Sequence, residues 1–93
     1  MAEVVKERAV CEAAVLINSV DKVKNFVAII SRYEAEMELV SGRYVVDARS
    51  IMSILCTKLS EPLVLRIHGG QAEAEEILAA IETYVLRTER CAD

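Results

Sequence analysis

Polar and apolar positions along the chain change period several times, and each change marks an element. Residues 11–17, CEAAVLI, alternate: Cys11, Ala13, Val15 and Ile17 share one face and Glu12, Ala14 and Leu16 the other, as in a strand. From residue 20 the spacing becomes three and four. Val20, Val23, Phe26, Val27, Ile30 and Tyr33 form one stripe, with Lys22, Lys24, Asn25 and Arg32 outside it, which predicts an amphipathic helix. Asn18 and Ser19 supply its capping side chains, and Asp21 suits the positive end of the helix dipole. Residues 34–40 return to period two, sending Ala35, Met37 and Leu39 inward and Glu34, Glu36 and Glu38 to water. Ser41, Gly42 and Arg43 make a turn in which Gly42 takes positive φ, so residues 44–46 come back as the second arm of a hairpin.

The next stretch, VVDARSIMSIL over residues 45–55, breaks as a strand at Asp47 and restarts as a helix at Ser50. That helix is expected to run to about residue 59, with Ile51, Ile54, Leu55 and Leu59 on its buried side and Met52 and Cys56 on its flank. Pro62 ends it, because proline disfavours helical backbone in the residue before it. Residues 63–68 alternate again, with Leu63, Leu65 and Ile67 inward and Val64, Arg66 and His68 outward. After Gly69 and Gly70, residues 71 to about 87 are expected as one long helix whose stripe is Ala74, Ile77, Leu78, Ile81, Tyr84 and Val85. Glu73, Glu75 and Glu76 stand near its start and Arg87 near its end, as the dipole prefers. Residues 1–8 read as a loose extension and 88–93 as a frayed tail of a single domain spanning 1–93. The order β-α-β-β-α-β-α, with strands that expose a polar face, predicts an α+β open-faced sandwich. A four-stranded antiparallel sheet would carry three helices on one face, with the ferredoxin-like arrangement as the alternative.

Composition narrows the function. Hydrophobic residues at 54% and charged residues at 28% exclude a disordered chain. With no Trp and a single Phe, packing is aliphatic. A net charge of -4 argues against binding a phosphate backbone, which requires clustered Lys and Arg, so nucleic acid is not an expected partner. No apolar run approaches the roughly 20 residues that cross a bilayer, and residues 1–8 are charged rather than signal-like, so the expected compartment is the cytoplasm. Cys11, Cys56 and Cys91 are widely spaced, with neither CxxC nor a neighbouring His; they read as reduced thiols, not as a zinc site or a disulfide framework. Glu34, Glu36 and Glu38 lack a His, Cys or second acidic cluster beside them and read as a solvated face. No cofactor, metal pattern, phosphate loop or nucleophile triad is expected.

Ser50 is the polar residue with the most to say, lying at a strand-to-helix junction beside Ile51, Met52, Ile54 and Leu55. In this context VVDARSIMSIL resembles the corresponding segment of HPr, the histidine-containing phosphocarrier family of the bacterial sugar phosphotransferase system. FVAIISRY over residues 26–33 is similar to that family's first helix, Gly42 to its hairpin glycine, and Leu65, Arg66, Ile67, His68 and Gly69 to its last strand and following turn. The resemblance runs from about residue 13 to 86 and includes the element order.

It implies a carrier protein rather than an enzyme, with partners among the proteins of the phosphotransferase system or a transcriptional regulator. In the family, a histidine at the start of the first helix relays phosphate, within a pattern of Gly, apolar residue, His, Ala, Arg, Pro. The matching residues here, Ile17, Asn18, Ser19, Val20, Asp21, Lys22 and Val23, contain no His, Arg or Pro. An alignment either sets Ser19 in the histidine's slot or deletes the slot. Serine does not replace the histidine chemically, because its phosphate ester is far more stable than the labile phosphoramidate that a relay hands onward. His68 is expected on a strand away from that helix start. The family's second feature is present: Ser50 matches a serine that a dedicated kinase phosphorylates in some bacteria, turning the carrier into a regulator. Ile51 and Met52 match partner-contacting residues, with Arg49 beside them and Arg49 and Arg43 as local counter-charges. Ser53 stands where the family usually has glycine. The same serine position is also an ordinary helix N-cap.

Overall fold

The computed structural model describes residues 10–91. Strand β1 (Val10–Val15) leads into helix α1 (Val20–Ile30), followed by the hairpin of β2 (Glu36–Ser41) and β3 (Tyr44–Asp47). The short helix α2 (Ile51–Leu55), strand β4 (Leu63–His68) and helix α3 (Gln71–Ala80) come next. A 3-10 turn at Glu82–Tyr84 then delivers the chain into strand β5 (Val85–Cys91). The strands form one antiparallel sheet in the order β3-β2-β4-β1-β5.

Period-two patterning decides which face of the sheet is covered. Cys11, Ala13 and Val15 from β1, Met37 and Leu39 from β2, and Leu63, Leu65 and Ile67 from β4 are all buried. They meet Val23, Phe26, Val27 and Ile30 of α1, Ile54 of α2, and Ala74, Ile77 and Ile81 from α3 and its end. Burying a large aliphatic or aromatic side chain contributes about 1.5–3 kcal/mol, so this single layer of contacts is the main source of stability. Ala35 and Ala48 are buried where loops turn tightly against the core. The opposite face, bearing Glu12, Glu38, Arg66 and His68, is the open one: the architecture is an α+β open-faced sandwich with three helices.

Most expectations hold at the level of single residues. Strand β4 occupies the expected span, and Gly42 takes a φ of 60° in the two-residue turn between Ser41 and Tyr44. Val20 departs from the α1 stripe, being 50% exposed in the first turn of the helix. Helix α2 is shorter than its pattern, closing at Cys56, whose N–H donates to the Ser53 carbonyl at 3.1 Å.

The C-terminal third requires a correction. The helix expected to reach residue 87 stops at Ala80, where Ile81 leaves helical backbone with φ -106° and ψ 20°. Ile81 still fills the core, and Tyr84 packs edge-on to Phe26 with ring centroids 6.2 Å apart. The Tyr84 carbonyl accepts from the Leu16 N–H at 2.9 Å, which brings the following residues alongside β1. The expected frayed tail is therefore a strand as far as Cys91, residues 92–93 lying outside the described ones, and among the described residues the sheet has five strands instead of four. Helical spacing in this stretch lost to an unpaired strand edge that satisfies backbone N–H and C=O groups. The same pairing sets Cys91 opposite Cys11, and the two form a disulfide, which corrects the reading of all three cysteines as reduced thiols. Cys56 is free and exposed. The expected loose extension at 1–8 lies outside the described residues.

Candidate functional site

The junction between β3 and α2 is built from short-range hydrogen bonds. The Ala48 N–H donates to the Met37 carbonyl at 3.2 Å, the Arg49 N–H to Asp47 Oδ1 at 2.9 Å, and the Ser50 N–H to the Asp47 carbonyl at 3.1 Å. Asp47 thus turns the chain with its own side chain, as Asp does in such bends. Ser50 then caps α2: its backbone is extended, its Oγ accepts from the Ser53 N–H at 3.3 Å, and its carbonyl accepts from the Ile54 N–H at 3.0 Å. Its hydroxyl also meets Ser53 Oγ at 3.0 Å. Beside this half-buried hydroxyl, Met52 is 75% exposed, while Ile51 packs partly against the core and Ile54 entirely within it.

Arg49 is committed elsewhere. Its Nη2 donates to the Ala35 carbonyl at 2.9 Å and to the Tyr33 carbonyl, anchoring the loop between α1 and β2. From the other side Glu73 Oε2 accepts from the Glu34 N–H at 3.0 Å and the Ala35 N–H at 3.3 Å. The loop's carbonyls thus go to a cation on the β3–α2 junction and its amides to an anion on α3. Sequence reasoning gave Glu73 only a helix-start role; its first-turn position was the available signal, but the target 39 residues away in the chain was not visible. Arg43 lies at the hairpin tip, where with Tyr44, Cys56, Lys58 and Glu61 it lines a depression beside the C-terminal end of α2, away from Ser50.

At the start of α1, Ser19 is a plain N-cap: its Oγ accepts from the Lys22 N–H at 3.2 Å, and the Lys22 ammonium donates to Asn18 Oδ1 at 3.1 Å. His68 is far from it along the sheet. β4 pairs with β1 so that Leu63 sits opposite Val15, just before α1, while His68 sits opposite Val10 at the other end. Five strand steps at about 3.3 Å separate those ends by about 16 Å. The imidazole also faces the open side of the sheet, where its Nε2 is 3.2 Å from Glu38 Oε1. Arg66 completes that ladder, with Nε 3.3 Å from Glu12 and Nη1 3.9 Å from Glu38. The Nε contact is close in distance but misaligned for a hydrogen bond, so it is an ion pair rather than a charge-assisted hydrogen bond.

Ser50, Ile51 and Met52 therefore share one short surface. Arg49 serves the fold next to it, Arg43 sits at a different end of α2, and His68 belongs to the open face. Among the described residues no three potential metal ligands come together, and no helix is long and apolar enough to cross a membrane.

Comparison with known proteins bears on this arrangement directly. The family model described as the PTS HPr component phosphorylation site matches residues 21–86. The match starts inside α1 and ends in β5, taking in the β2–β3 hairpin, the Ser50 junction and β4. No curated protein and no solved structure matches the chain. The family is one of phosphate carriers that work with other proteins of the phosphotransferase system. With that match over most of its length, the same element order and an open-faced antiparallel sheet, the chain belongs to the HPr family.

Proposed function

We propose that this protein is an HPr relative that does not relay phosphate through histidine and works as a regulatory or protein-interaction module of the phosphotransferase system. Its working surface is Ser50, Ile51 and Met52 with Arg49 holding the junction in place. One observation carries the reading: its single imidazole, His68, stands on the open face at the end of β4 remote from α1, whereas the start of α1 offers only the Ser19 cap. Carrier chemistry needs a nitrogen nucleophile at a place the partner enzymes can reach. The Ser50 surface, by contrast, keeps a serine hydroxyl next to an exposed Met52.

Phosphorylation of Ser50 fits the same reading. The phosphoester would add about -1.5 to -2 charges beside an apolar contact and remove the hydroxyl proton that meets Ser53, so the surface would change both charge and local bonding. A partner that fits the neutral surface would then be repelled if acidic and recruited if basic. Transcriptional regulators and transport components of the system are the partner classes that this switch suits, and the cytoplasm is where it would operate.

Two incubations test this. With the system's first enzyme and labelled phosphoenolpyruvate, the protein should take up no acid-labile phosphate; acid-labile label abolished by His68→Ala would overturn the proposal in favour of an unrecognised carrier histidine. With an HPr serine kinase and ATP, the intact mass should rise by one phosphate, and Ser50→Ala should remove that gain. Phosphate placed elsewhere, or none, would remove Ser50 from the mechanism.

A further inference from the structure

The sheet ends in two edges that differ in what they offer. β5 exposes Leu86 at 51% but follows it with Arg87, Glu89 and Arg90, and its pairing with β1 shifts register twice, so its outer edge is mostly charged and bent. β3 pairs with β2 without a shift, and it presents Tyr44 at 73% and Val45 at 52% exposure. Large apolar side chains on a regular edge strand are the arrangement that native sheets ordinarily avoid unless the edge is used.

Among the described residues no strand pairs with the outer side of β3. Ser41 and Tyr44 close a two-residue hairpin and form a hydrogen-bonded pair, so the alternation of an antiparallel ladder makes Val45 and Val40 a non-bonded pair, and Asp47 and Glu38 another. The N–H and C=O of Val45 and the N–H of Asp47 consequently point away from β2, at the end of the sheet.

We propose that β3 pairs with β3 of a second copy of this chain, antiparallel and centred on Val45, joining two five-stranded sheets across a two-fold axis. Charge selects both the occupant and the register. Centring on Val45 lets the two Val45 residues exchange a pair of hydrogen bonds, sets Tyr44 opposite Val46, and brings Arg43 of each copy opposite Asp47 of the other. Sliding by one step puts Val45 opposite Asp47 and Arg43 toward Arg49, and sliding further sets Asp47 against Asp47. Arg43 and Asp47 are both exposed, so neither is engaged in the core. The strand thus complements itself in the register centred on Val45, whereas centring on Tyr44 sets Arg43 opposite Val45 and Asp47 opposite Ser41, leaving both charges unmatched. β3 is only four residues long, a short edge, which makes the dimer a weak and reversible one. This surface lies on the sheet edge and is independent of the Ser50 reading.

Sedimentation velocity of the full chain from about 10 µM to about 1 mM, a range suited to a weak, small interface, reads the association directly. The expected result is a reversible monomer–dimer equilibrium that survives a reductant, which excludes crosslinking through Cys56. Val45→Lys should weaken it at least about tenfold, since two ammonium groups would meet on the axis. Arg43→Glu and Asp47→Lys should each be monomeric alone, because each sets like charges opposite one another. Mixed in equal amounts they should form a heterodimer, because every opposed pair then has opposite sign. Thermal melts confirm folding, and if Asp47→Lys fails to fold, Val45→Lys decides alone. A monomer at the highest concentration, or a dimer indifferent to Val45→Lys, would overturn the proposal.

Discussion

The two edges of the sheet were placed by different kinds of force. β3 reaches its position by local chemistry: a glycine that accepts positive φ, a two-residue turn, and an Asp47 that bends the chain into the Ser50 cap. β5 arrives from the far end of the sequence and is held by pairing with β1, by the Tyr84 contacts and by a disulfide joining residues 80 apart. Its own side chains from Leu86 to Arg90 are exposed, so they bury little apolar area. A strand held by nearby residues tolerates single changes and keeps its register, whereas one held by remote partners depends on those partners.

The largest expected effect follows from that dependence. Closing a loop of this length removes about 4.5 kcal/mol of chain entropy from the unfolded state in the simplest treatment, and measured losses on removing native disulfides are about 2–5 kcal/mol. Cys11→Ala with Cys91→Ala should therefore lower the stability measured by denaturant unfolding by about 2–5 kcal/mol. Hydrogen exchange on the same variant should show protection lost over β5 first, with the β2–β3 hairpin keeping its own. Equal loss in both strands would mean that β5 is part of one cooperative unit and that the contrast between the edges is only one of origin.

How much could be read from the chain follows the same division. Alternation in residues 34–40 gave Ala35, Met37 and Leu39 the core positions they occupy, and the span of β4 came out unchanged. The Ser50 cap was equally visible, because capping involves residues three apart. β5 was not visible: Ala74, Ile77, Ile81, Tyr84 and Val85 continue a helical spacing, and only the open edge of β1 gives Val85 and its successors a better use as a strand. The cysteine pairing failed for the same reason, since it exists only once β5 does. At the site, Ser50, Ile51 and Met52 were marked by their order in the chain, but the use of Arg49 was hidden because its acceptors, the Tyr33 and Ala35 carbonyls, belong to another loop.

Arg49 provides the next test, being the long-range tie beside the locally built edge. Arg49→Met keeps most of the stem and removes the guanidinium, leaving two carbonyls without their donor. Hydrogen bonds to charged groups are worth about 1.5–3 kcal/mol, so a loss of about 2 kcal/mol in denaturant unfolding is expected. Arg49→Lys should recover only part of it, because the shorter side chain leaves its ammonium one bond short of the place from which Nη2 donates to both carbonyls. A loss below about 0.5 kcal/mol, the size of an ordinary surface substitution, would show the residue free for partners instead of committed to the loop.

Gly42 gives the smallest and cleanest effect on the local side. A Cβ added there meets nothing within 4 Å, so Gly42→Ala introduces no clash, and its only cost is the φ of 60° that an L side chain resists. That cost is about 1 kcal/mol, which in a domain of this size lowers Tm by about 4–8 °C. Gly42→Asn should lose less, because Asn tolerates this backbone region through its short polar side chain. The hairpin register should survive both, since Leu39, Val46 and Met37 still fix which face is buried. If Gly42→Ala instead cost as much as removing the disulfide, the turn would be setting more than its own backbone angle, and β3 would depend on a single residue as heavily as β5 depends on its covalent tie.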